Sequence, residues 1–593
     1  MKDANSNRGG NSVHPAMTWL ACVAWLTLAG WSAEAATKSW SNSAGGDYTN
    51  AANWNGGVPG SSDCADFEKT NVYTINLTTS VTNDNLYFIA NNGVAYTTGT
   101  VTFNFNSNSL TLLAAADGYG NRYPWTMSEW GGTNIVNMNN GTLVLPRGAC
   151  RIGASARNSL GVGVVNCSNM TFIGDSFQVA YIDGGWVGHG SWNLYNSTAT
   201  LSNFSLANAG GAGNTFSNGT GNVLIGPGSV LSVVNGFSVG AYGSNVVGTI
   251  TISNGTLNAN GGFTLGVGSP GVCTSGDTGN LIVQGNGAVY ANGAVLLGYA
   301  DTACGNIIIQ DNGRVYVNGT VGFGYYSSAA YGSVVLNGPN ALLEVNTLTV
   351  NNNHPSTVRN NGGIYQYTSA SPAITPGTFG NFSISNGTVS FRAITNADVT
   401  CNLGTKALRS DTVMLWAGTS NTFRLNNATN GGTPNQAYTF APGTATNFAR
   451  LELVNGSTYR NGNVTLGAGG SLYVSGGAST ISSVLTAAPS STIEFDLSNT
   501  HASGCLLSTT NMYLNGCTLK LDFANPPIVN TPFLIISNAV AGQLSYSFAG
   551  GSTWQACTIN GTNYVTTINR AGGGREVVVQ TVIPANGNVF HFN

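Results

Sequence analysis

The amino-acid sequence predicts an all-β protein: a right-handed parallel β-helix with three-strand turns of about 26–31 residues and a capping segment at each end. The first observation is an internal repeat. Five similar segments open 27, 31, 26 and 27 residues apart, at Gly221, Gly248, Gly279, Gly305 and Gly332. Periods of roughly 20–50 residues are typical of solenoids.

The second observation is that each repeat contains three short runs of alternating apolar residues. In one repeat, Ile250 and Ile252 mark the first run, and Phe263 and Leu265 mark the third. Alternation of period two indicates strands, and glycines between the runs supply the positive φ angles of tight corners. A single turn cannot bury its own apolar face, so the turns are expected to stack. The crossover rule gives the right-handed winding.

The composition excludes two broad classes of protein. Among 593 residues, 42% are hydrophobic and 7% are charged, with a formal net charge of -3. Disordered chains combine low hydrophobicity with high net charge, which this chain does not. Nucleic-acid binding requires clustered cations, whereas the 19 Lys and Arg residues are scattered, so no nucleic-acid partner is expected.

Residues 1–35 have the pattern of a secretory signal peptide. Lys2 and Arg8 precede an apolar run from Met17 to Trp31, and Ala33-Glu34-Ala35 provides a small-x-small cleavage site. The run is shorter than the ~20 residues of a comfortable membrane span. We therefore expect a secreted or cell-surface protein with no membrane span once the signal is removed.

The segment from Lys38 to Phe67 does not follow the repeat and carries a family resemblance. Its Trp40, Asn53-Trp54 and Val58-Pro59-Gly60, with Asp63, Ala65 and Phe67, are similar to the opening of autotransporter-associated β-strand repeat proteins. Members of that family are secreted bacterial surface proteins with a β-helical passenger, and the resemblance implies this architecture. The expected division is a cap with irregular first turns over 36–130, β-helix repeats over 131–480 and a C-terminal β segment over 481–593.

Aromatic residues are candidates for two different roles. Trp40 and Trp54 could cover the open end of the first turn, which we favour, or form a platform for sugars. Tyrosines beside the corner glycines could likewise shield the corners or stack on sugars: Tyr242, Tyr299, Tyr325 and Tyr326. The candidate partners are surface glycans or extracellular polysaccharide.

One motif suggests catalysis. Gly188-His189-Gly190 looks like the Gly-His-Gly of polygalacturonase-type hydrolases, and Asp175 and Asp183 precede it. Inverting hydrolysis needs a general acid and a water-activating carboxylate at a defined separation, and the other acidic motifs of that family are missing. We expect no catalytic residues, and we expect no cofactor or metal site because no close Cys or His pair has ligand spacing.

Two cysteines are predicted to pair. Cys273 lies 25 residues after Gly248, and Cys304 lies 25 residues after Gly279. Equal offsets in adjacent turns would place their Cα atoms within disulfide range. The alternative is that both are buried free thiols.

The function expected from these observations is that of a secreted surface or extracellular β-solenoid, structural or adhesive and without catalysis. Two alternatives remain open: a carbohydrate-binding rod, and a polysaccharide lyase or hydrolase built on a β-helix.

Overall fold

The structure is a computed structural model that describes most residues between 36 and 583. These are residues 36–89, 97–114, 123–128, 132–153, 160–182, 187–209, 218–241, 245–267, 277–299, 302–324, 330–350, 356–368, 381–385, 388–400, 413–417, 421–431, 438–441, 448–460, 462–497, 506–523, 529–530, 532–538, 544–548, 554–559, 562–571 and 576–583.

The described chain is almost entirely β, apart from one 3₁₀ turn at Ala51–Asn53. Its first strands are β1 Thr37–Trp40, β2 Gly46–Asp47, β3 Trp54–Asn55, β4 Cys64–Phe67, β5 Val72–Asn76, β6 Val81–Asn83, β7 Asn85–Phe88, β8 Thr98–Asn104, β9 Ser109–Leu112, β10 Trp125–Met127, β11 Gly132–Ile152 and β12 Gly161–Ile182. The longest of these run through corners and contribute to more than one sheet.

The regular repeats follow. Their strands are β13 Gly188–Tyr195, β14 Thr198–Ala209, β15 Gly219–Ile225, β16 Val230–Val233, β17 Phe237–Ala241, β18 Val246–Ser253, β19 Thr256–Ala259, β20 Phe263–Val267, β21 Thr278–Gln284, β22 Ala288–Ala291, β23 Val295–Leu297, β24 Cys304–Gln310, β25 Arg314–Phe323, β26 Tyr331–Asn337, β27 Leu342–Val350, β28 Thr357–Asn361 and β29 Ile364–Tyr367.

The remaining strands lie beyond the clearest repeats. They are β30 Asn381–Ser385, β31 Thr388–Thr400, β32 Val413–Ala417, β33 Asn421–Gly431, β34 Tyr438–Phe440, β35 Phe448–Val454, β36 Thr458–Tyr459, β37 Val464–Leu466, β38 Ser471–Ser475, β39 Ser479–Ala487, β40 Thr492–Asp496, β41 Leu507–Asp522, β42 Phe533–Asn538, β43 Leu544–Phe548, β44 Trp554–Ile559, β45 Thr562–Ala571 and β46 Glu576–Val582.

The strands stack into three parallel sheets, one for each run of the repeat. Sheet 1 contains β15, β18, β21, β24 and β26 in that order. Sheet 2 contains β16, β19, β22 and the start of β25, and sheet 3 contains β17, β20, β23 and the end of β25. The predicted parallel β-helix with three-strand turns is confirmed, and it has about 13 turns.

The opening glycines of the repeat lie in register along sheet 1. Gly221 pairs with Gly248, which pairs with Gly279, and Gly305 and Gly332 follow in the next two turns. Facing them, at the corner where sheet 3 ends, is a row of residues with φ between 52 and 69 degrees: Gly153, Ala180, Ala207, Gly240, Gly266, Gly298 and Gly324. The period seen in the sequence is therefore the period of this corner.

The interior holds a main apolar cluster, which extends from Trp40 in the first strand to Val579 in the last, and a smaller one formed by Ala180, Ile182, Ala207, Ala209 and Val246. On sheet 3, four aromatic residues occupy the same inward position in consecutive turns: Phe177, Phe204, Phe237 and Phe263. Val295 takes this position in the next turn, so the aromatic row ends there.

Antiparallel pairing is found at both ends. At the N-terminal end β1 pairs antiparallel with β3, while at the C-terminal end β45 pairs antiparallel with both β44 and β46. Between these ends the parallel stack begins at the pairing of β1 with β4 and extends to that of β41 with β43. It therefore extends before residue 131 and beyond residue 480. In the described part of the chain, no helix is long and apolar enough to cross a membrane.

Candidate functional site

The two N-terminal tryptophans lie inside the cap. Trp40 is 1% exposed and Trp54 is 5% exposed, and their rings meet edge to face at 5.0 Å. The Trp54 indole N–H donates to the Tyr48 carbonyl at 2.7 Å, and further aromatic contacts come from Phe67. A sugar needs an open ring face, which neither indole has. This burial corrects the platform hypothesis and favours the capping interpretation.

Of the four corner tyrosines, only Tyr299 lies among the described residues. It is half-buried, and its backbone N–H donates to the Gly266 carbonyl at 2.8 Å. Tyr242, Tyr325 and Tyr326 lie outside the described residues. A sugar-binding stripe at this corner therefore stays a prediction.

The structure describes one of the two cysteines that are predicted to pair, Cys304. Cys304 is the first residue of β24, and its neighbour in the preceding turn is Thr278. Cys273 lies five residues earlier, outside the described residues, and Cys304 is a free, half-buried thiol. The two loops before sheet 1 differ in length, so equal counts from the preceding glycines do not give equal positions. Burial raises the pKa of the Cys304 thiol.

The Gly-His-Gly motif has a structural explanation. A Cβ atom at Gly190 would lie 2.4 Å from the Ala180 nitrogen, and one at Gly188 would lie 2.8 Å from the Gly153 carbonyl oxygen. The corner therefore requires both glycines, whatever residue separates them. His189 is half-buried on the outer face, where its Nδ1 hydrogen-bonds the Thr220 hydroxyl of the next turn.

The structure separates one of the two acidic candidates, Asp175, from this histidine. Asp175 lies in β12 where the chain passes from sheet 2 to sheet 3, whereas His189 lies at the start of a sheet 1 strand. Asp183 lies outside the described residues. Among the side chains described, the hydrogen-bond partner of His189 is the hydroxyl group of Thr220.

A feature not found from the sequence is a row of polar and aromatic side chains on the outer face of sheet 2. We call it the tyrosine row, and its members occupy the same position in five consecutive turns: Asn258, Tyr290, Tyr316, Glu344 and Gln366. The two tyrosine rings are parallel within 4 degrees, with centroids 5.1 Å apart, and Tyr290 is 45% exposed. Gln366 Nε2 donates to Glu344 Oε2.

The same position continues as an ionic row near the C-terminal end of the stack. Its members are Arg424, Glu452, Tyr473, Glu494 and Lys520, again in consecutive turns. Arg450, beside this row, joins two turns: its Nε lies 2.7 Å from Glu452 Oε1, and its Nη1 lies 2.9 Å from Glu494 Oε2. This concentration stands out in a chain with 7% charged residues.

The electrostatics of the ionic row favour ion pairing. Desolvation would raise the pKa of Glu494, but hydrogen bonds with Asp522, Lys520 and Arg450 outweigh it and lower the pKa to about 2. Desolvation and the neighbouring Glu494 raise the pKa of Asp522. Glu494 therefore stays ionised at neutral pH and is held by two cations, which suits a structural ion-pair ladder.

The sequence contains a local signal for the ionic row. Three strands place charged residues on both sides of one buried residue: Arg450-Leu451-Glu452, Glu494-Phe495-Asp496 and Lys520-Leu521-Asp522. Alternation puts both charges of each pair on the outer face.

Comparisons with known proteins identify no family for this chain. No protein-family model matches this chain, and no curated protein matches its sequence.

Within the described ranges, no group of three or more His, Cys, Asp or Glu side chains is arranged to hold a metal ion.

Proposed function

We propose that this protein is an extracellular or cell-surface β-solenoid with a structural or adhesive role and no catalytic activity. The observation that carries the proposal is the ordering of outward polar side chains along the rod. On sheet 1, Asn166 Nδ2 donates to Asn137 Oδ1 at 2.9 Å, and Asn193 Nδ2 donates to Asn166 Oδ1 at 2.8 Å. Each turn thus holds the surface amides of the next in a fixed geometry.

Similar ladders recur elsewhere on the surface. Asn306 donates to Asn280 at 2.9 Å on sheet 1, and Asn340 donates to Asn312 at 2.9 Å at the corner that follows. Fixed rows of uncharged donors and acceptors suit repeated, weak contacts with a polymer or a neighbouring cell. The signal-like residues 1–35, the low charge and the resemblance to autotransporter-associated repeat proteins support placing this rod outside the cell, and bacterial surface proteins are the expected setting.

A second candidate function is carbohydrate binding. The observation that favours it is the tyrosine row, where Tyr290 and Tyr316 lie between Asn258 and Glu344 on sheet 2. Aromatic residues on an outer face can stack on sugar rings, and the polar side chains beside them can hydrogen-bond the sugar hydroxyls. If this function is correct, we expect the mature chain to bind glycans on a glycan array. We expect the double variant Tyr290→Ala/Tyr316→Ala to lose this binding.

Fractionation of cells that express the full chain with a C-terminal tag tests the proposed location. We expect the tag in the medium or on the surface, and we expect the mature chain to start at Ala36. A matched variant, Ala35→Arg, should block cleavage because it removes the small residue of the cleavage site. Recovery of the wild-type chain in the cytoplasm with Met1 intact would refute the proposal.

A further inference from the structure

Arg151 occupies an unusual place for a cation. It is 6% exposed, and it lies on the outward position of sheet 3 in register with Thr126 of the preceding turn and Gln178 of the next. Charged side chains are rarely buried unless they are paired. Something specific must therefore compensate the burial of this guanidinium group.

Two tyrosine rings cover the guanidinium group. The Cζ atom lies 3.7 Å from the centroid of the Tyr123 ring and 3.9 Å from that of the Tyr181 ring. Tyr123 belongs to the turn before Arg151 and Tyr181 to the turn after it, so the rings approach from opposite sides along the rod. We call these three residues the arginine clamp.

The clamp stabilises the cation without neutralising it. Arg151 Nε donates to Gln178 Oε1 at 3.1 Å, and no ion pair with Arg151 is formed by any carboxylate in the described part of the chain. Ring faces attract a cation but carry no net charge. A buried guanidinium group gains most from an anion that meets its donors directly.

The geometry limits the shape of that anion. Because the rings cover both faces, a ligand reaches the guanidinium group within its own plane. A carboxylate is planar and matches the two parallel N–H donors of an arginine edge. A sulfate or phosphate group is tetrahedral and places its remaining oxygens against the rings.

The surface next to the clamp indicates what carries the carboxylate. Along the same outward position of sheet 3, the following turns place uncharged, hydrogen-bonding side chains: Gln178, Ser205, Ser238 and Thr264. Such a floor can bind the hydroxyl groups of a sugar chain that runs along the rod. It offers neither an edge strand nor an apolar pocket of the kind that peptides use.

We propose that the arginine clamp binds the carboxylate of an acidic polysaccharide, with sugar hydroxyls on the polar floor of sheet 3. This inference deepens the proposed function and rests on it, because an extracellular rod meets such polymers. Arg151 is a binding residue in this account and takes part in no bond cleavage.

Calorimetric titration of the mature chain with an oligogalacturonate tests the inference. The methyl-esterified form of the same oligomer is the control for charge, because its carboxylates are neutralised. We expect the wild type to bind the acidic oligomer and to bind its methyl ester at least tenfold more weakly. In Arg151→Gln, we expect the two oligomers to bind with equal affinity. Arg151→Lys should also bind at least tenfold more weakly, since an ammonium group lacks the planar fork. Arg314→Gln, at an exposed arginine of sheet 2, is the matched control and should bind like the wild type.

Folding is checked in each variant by thermal melting, and Arg151→Lys keeps the test valid if Arg151→Gln does not fold. Equal binding of the acidic oligomer and its ester, or wild-type binding by Arg151→Lys, would overturn the proposal. Equally tight binding of a polyglutamate peptide would overturn the choice of a polysaccharide, and stronger binding of inorganic sulfate would overturn the choice of a carboxylate.

A further arm addresses Asp183. If this carboxylate neutralises Arg151, Asp183→Asn will lower the melting temperature as much as Arg151→Gln does, and the wild type will not bind the oligomer, which would overturn the proposal. Titration does not depend on export. A failed export experiment with intact binding would therefore refute the proposed location alone.

Discussion

The glycine that opens each turn has no room for a side chain. A Cβ atom at Gly279 would lie 2.4 Å from the Gly266 nitrogen and 2.5 Å from the Val239 carbonyl oxygen. Both are backbone atoms of neighbouring turns, so the clash cannot be relieved by rotating a side chain. The repeat is therefore set by the close approach of backbone to backbone.

We expect Gly279→Ala to destabilise the protein by about 1–3 kcal/mol, the usual range for overpacking. Urea unfolding monitored by circular dichroism measures the change. Gly60→Ala is the matched control, because a Cβ atom there would meet only Asp63 Oδ2, at 3.5 Å. Equal effects of the two substitutions would contradict the packing explanation.

His189 contributes one surface hydrogen bond in this account. We expect His189→Ala to lower the unfolding free energy by about 1 kcal/mol or less, the usual net value of such a bond. Thr220→Val removes the same bond from the other side and should have a similar effect. Loss of a measured enzymatic activity in His189→Ala but not in Thr220→Val would show that the histidine is catalytic.

Asp66 predicts a pH dependence at the N-terminal cap. Desolvation and the neighbouring Glu68 raise its pKa to about 8, and its Oδ1 is buried without a hydrogen-bond partner. The folded chain keeps this proton up to about pH 8, whereas the unfolded chain releases it near the ordinary value of 3.8. The contribution of Asp66 to stability is complete below pH 3.8 and is lost as the pH rises through about 8.

Thermal melting between pH 5 and pH 9 tests this dependence. We expect the melting temperature of the wild type to decline as the pH rises, and we expect a smaller decline in Asp66→Asn. The amide retains the shape of the side chain but does not titrate. An unchanged slope in Asp66→Asn would assign the decline to other groups.

At the scale of elements, the ionic row holds the last parallel turns together. The Glu452 and Glu494 side chains are 9% and 10% exposed, and Arg450 contacts both. Removing Arg450 takes one of two cations from each nearly buried carboxylate, because Glu452 also pairs with Arg424 and Glu494 with Lys520. The exposed Lys520–Asp522 pair, at 50% and 46% exposed, should matter much less.

We expect Arg450→Met to destabilise the protein by about 1–3 kcal/mol, below the range for fully buried pairs because Arg450 is 30% exposed. Asp522→Asn should cost less than about 1 kcal/mol. Chemical unfolding at low and high salt measures both changes. An Asp522→Asn effect as large as that of Arg450→Met would contradict this ranking.

The sequence predicted the elements of the repeat well because their corners repeat. Where Gly279 and Gly305 mark the phase, the strands and their inward residues follow directly. The ionic row was missed because the spacing of the turns changes beyond Val350, and a row across turns is visible only when the register is known. The predicted pairing of Cys273 with Cys304 rests on equal offsets, and the length of the loop before Cys304 alters the position that an offset implies.

At the scale of the whole molecule, one core and three sheets form a rod with about 13 turns, or roughly 60 Å of stacked strands at ~4.8 Å per turn. The sequence predicted this architecture from a single pattern, because every turn buries its apolar face in the same way. Its surface could not be predicted in the same way. Arg151, Tyr123 and Tyr181 come from three different turns, and only the stack brings them together.

The central claim is that this rod is structural or adhesive and does not turn over the polymers that it meets. The most direct test is to incubate the mature chain with pectin and alginate, and to follow polymer length by size-exclusion chromatography and the release of reducing or unsaturated ends. We expect unchanged polymer length over the whole incubation, with an unrelated lyase as positive control. Shortening of either polymer by the wild type, abolished in His189→Ala, would contradict the claim.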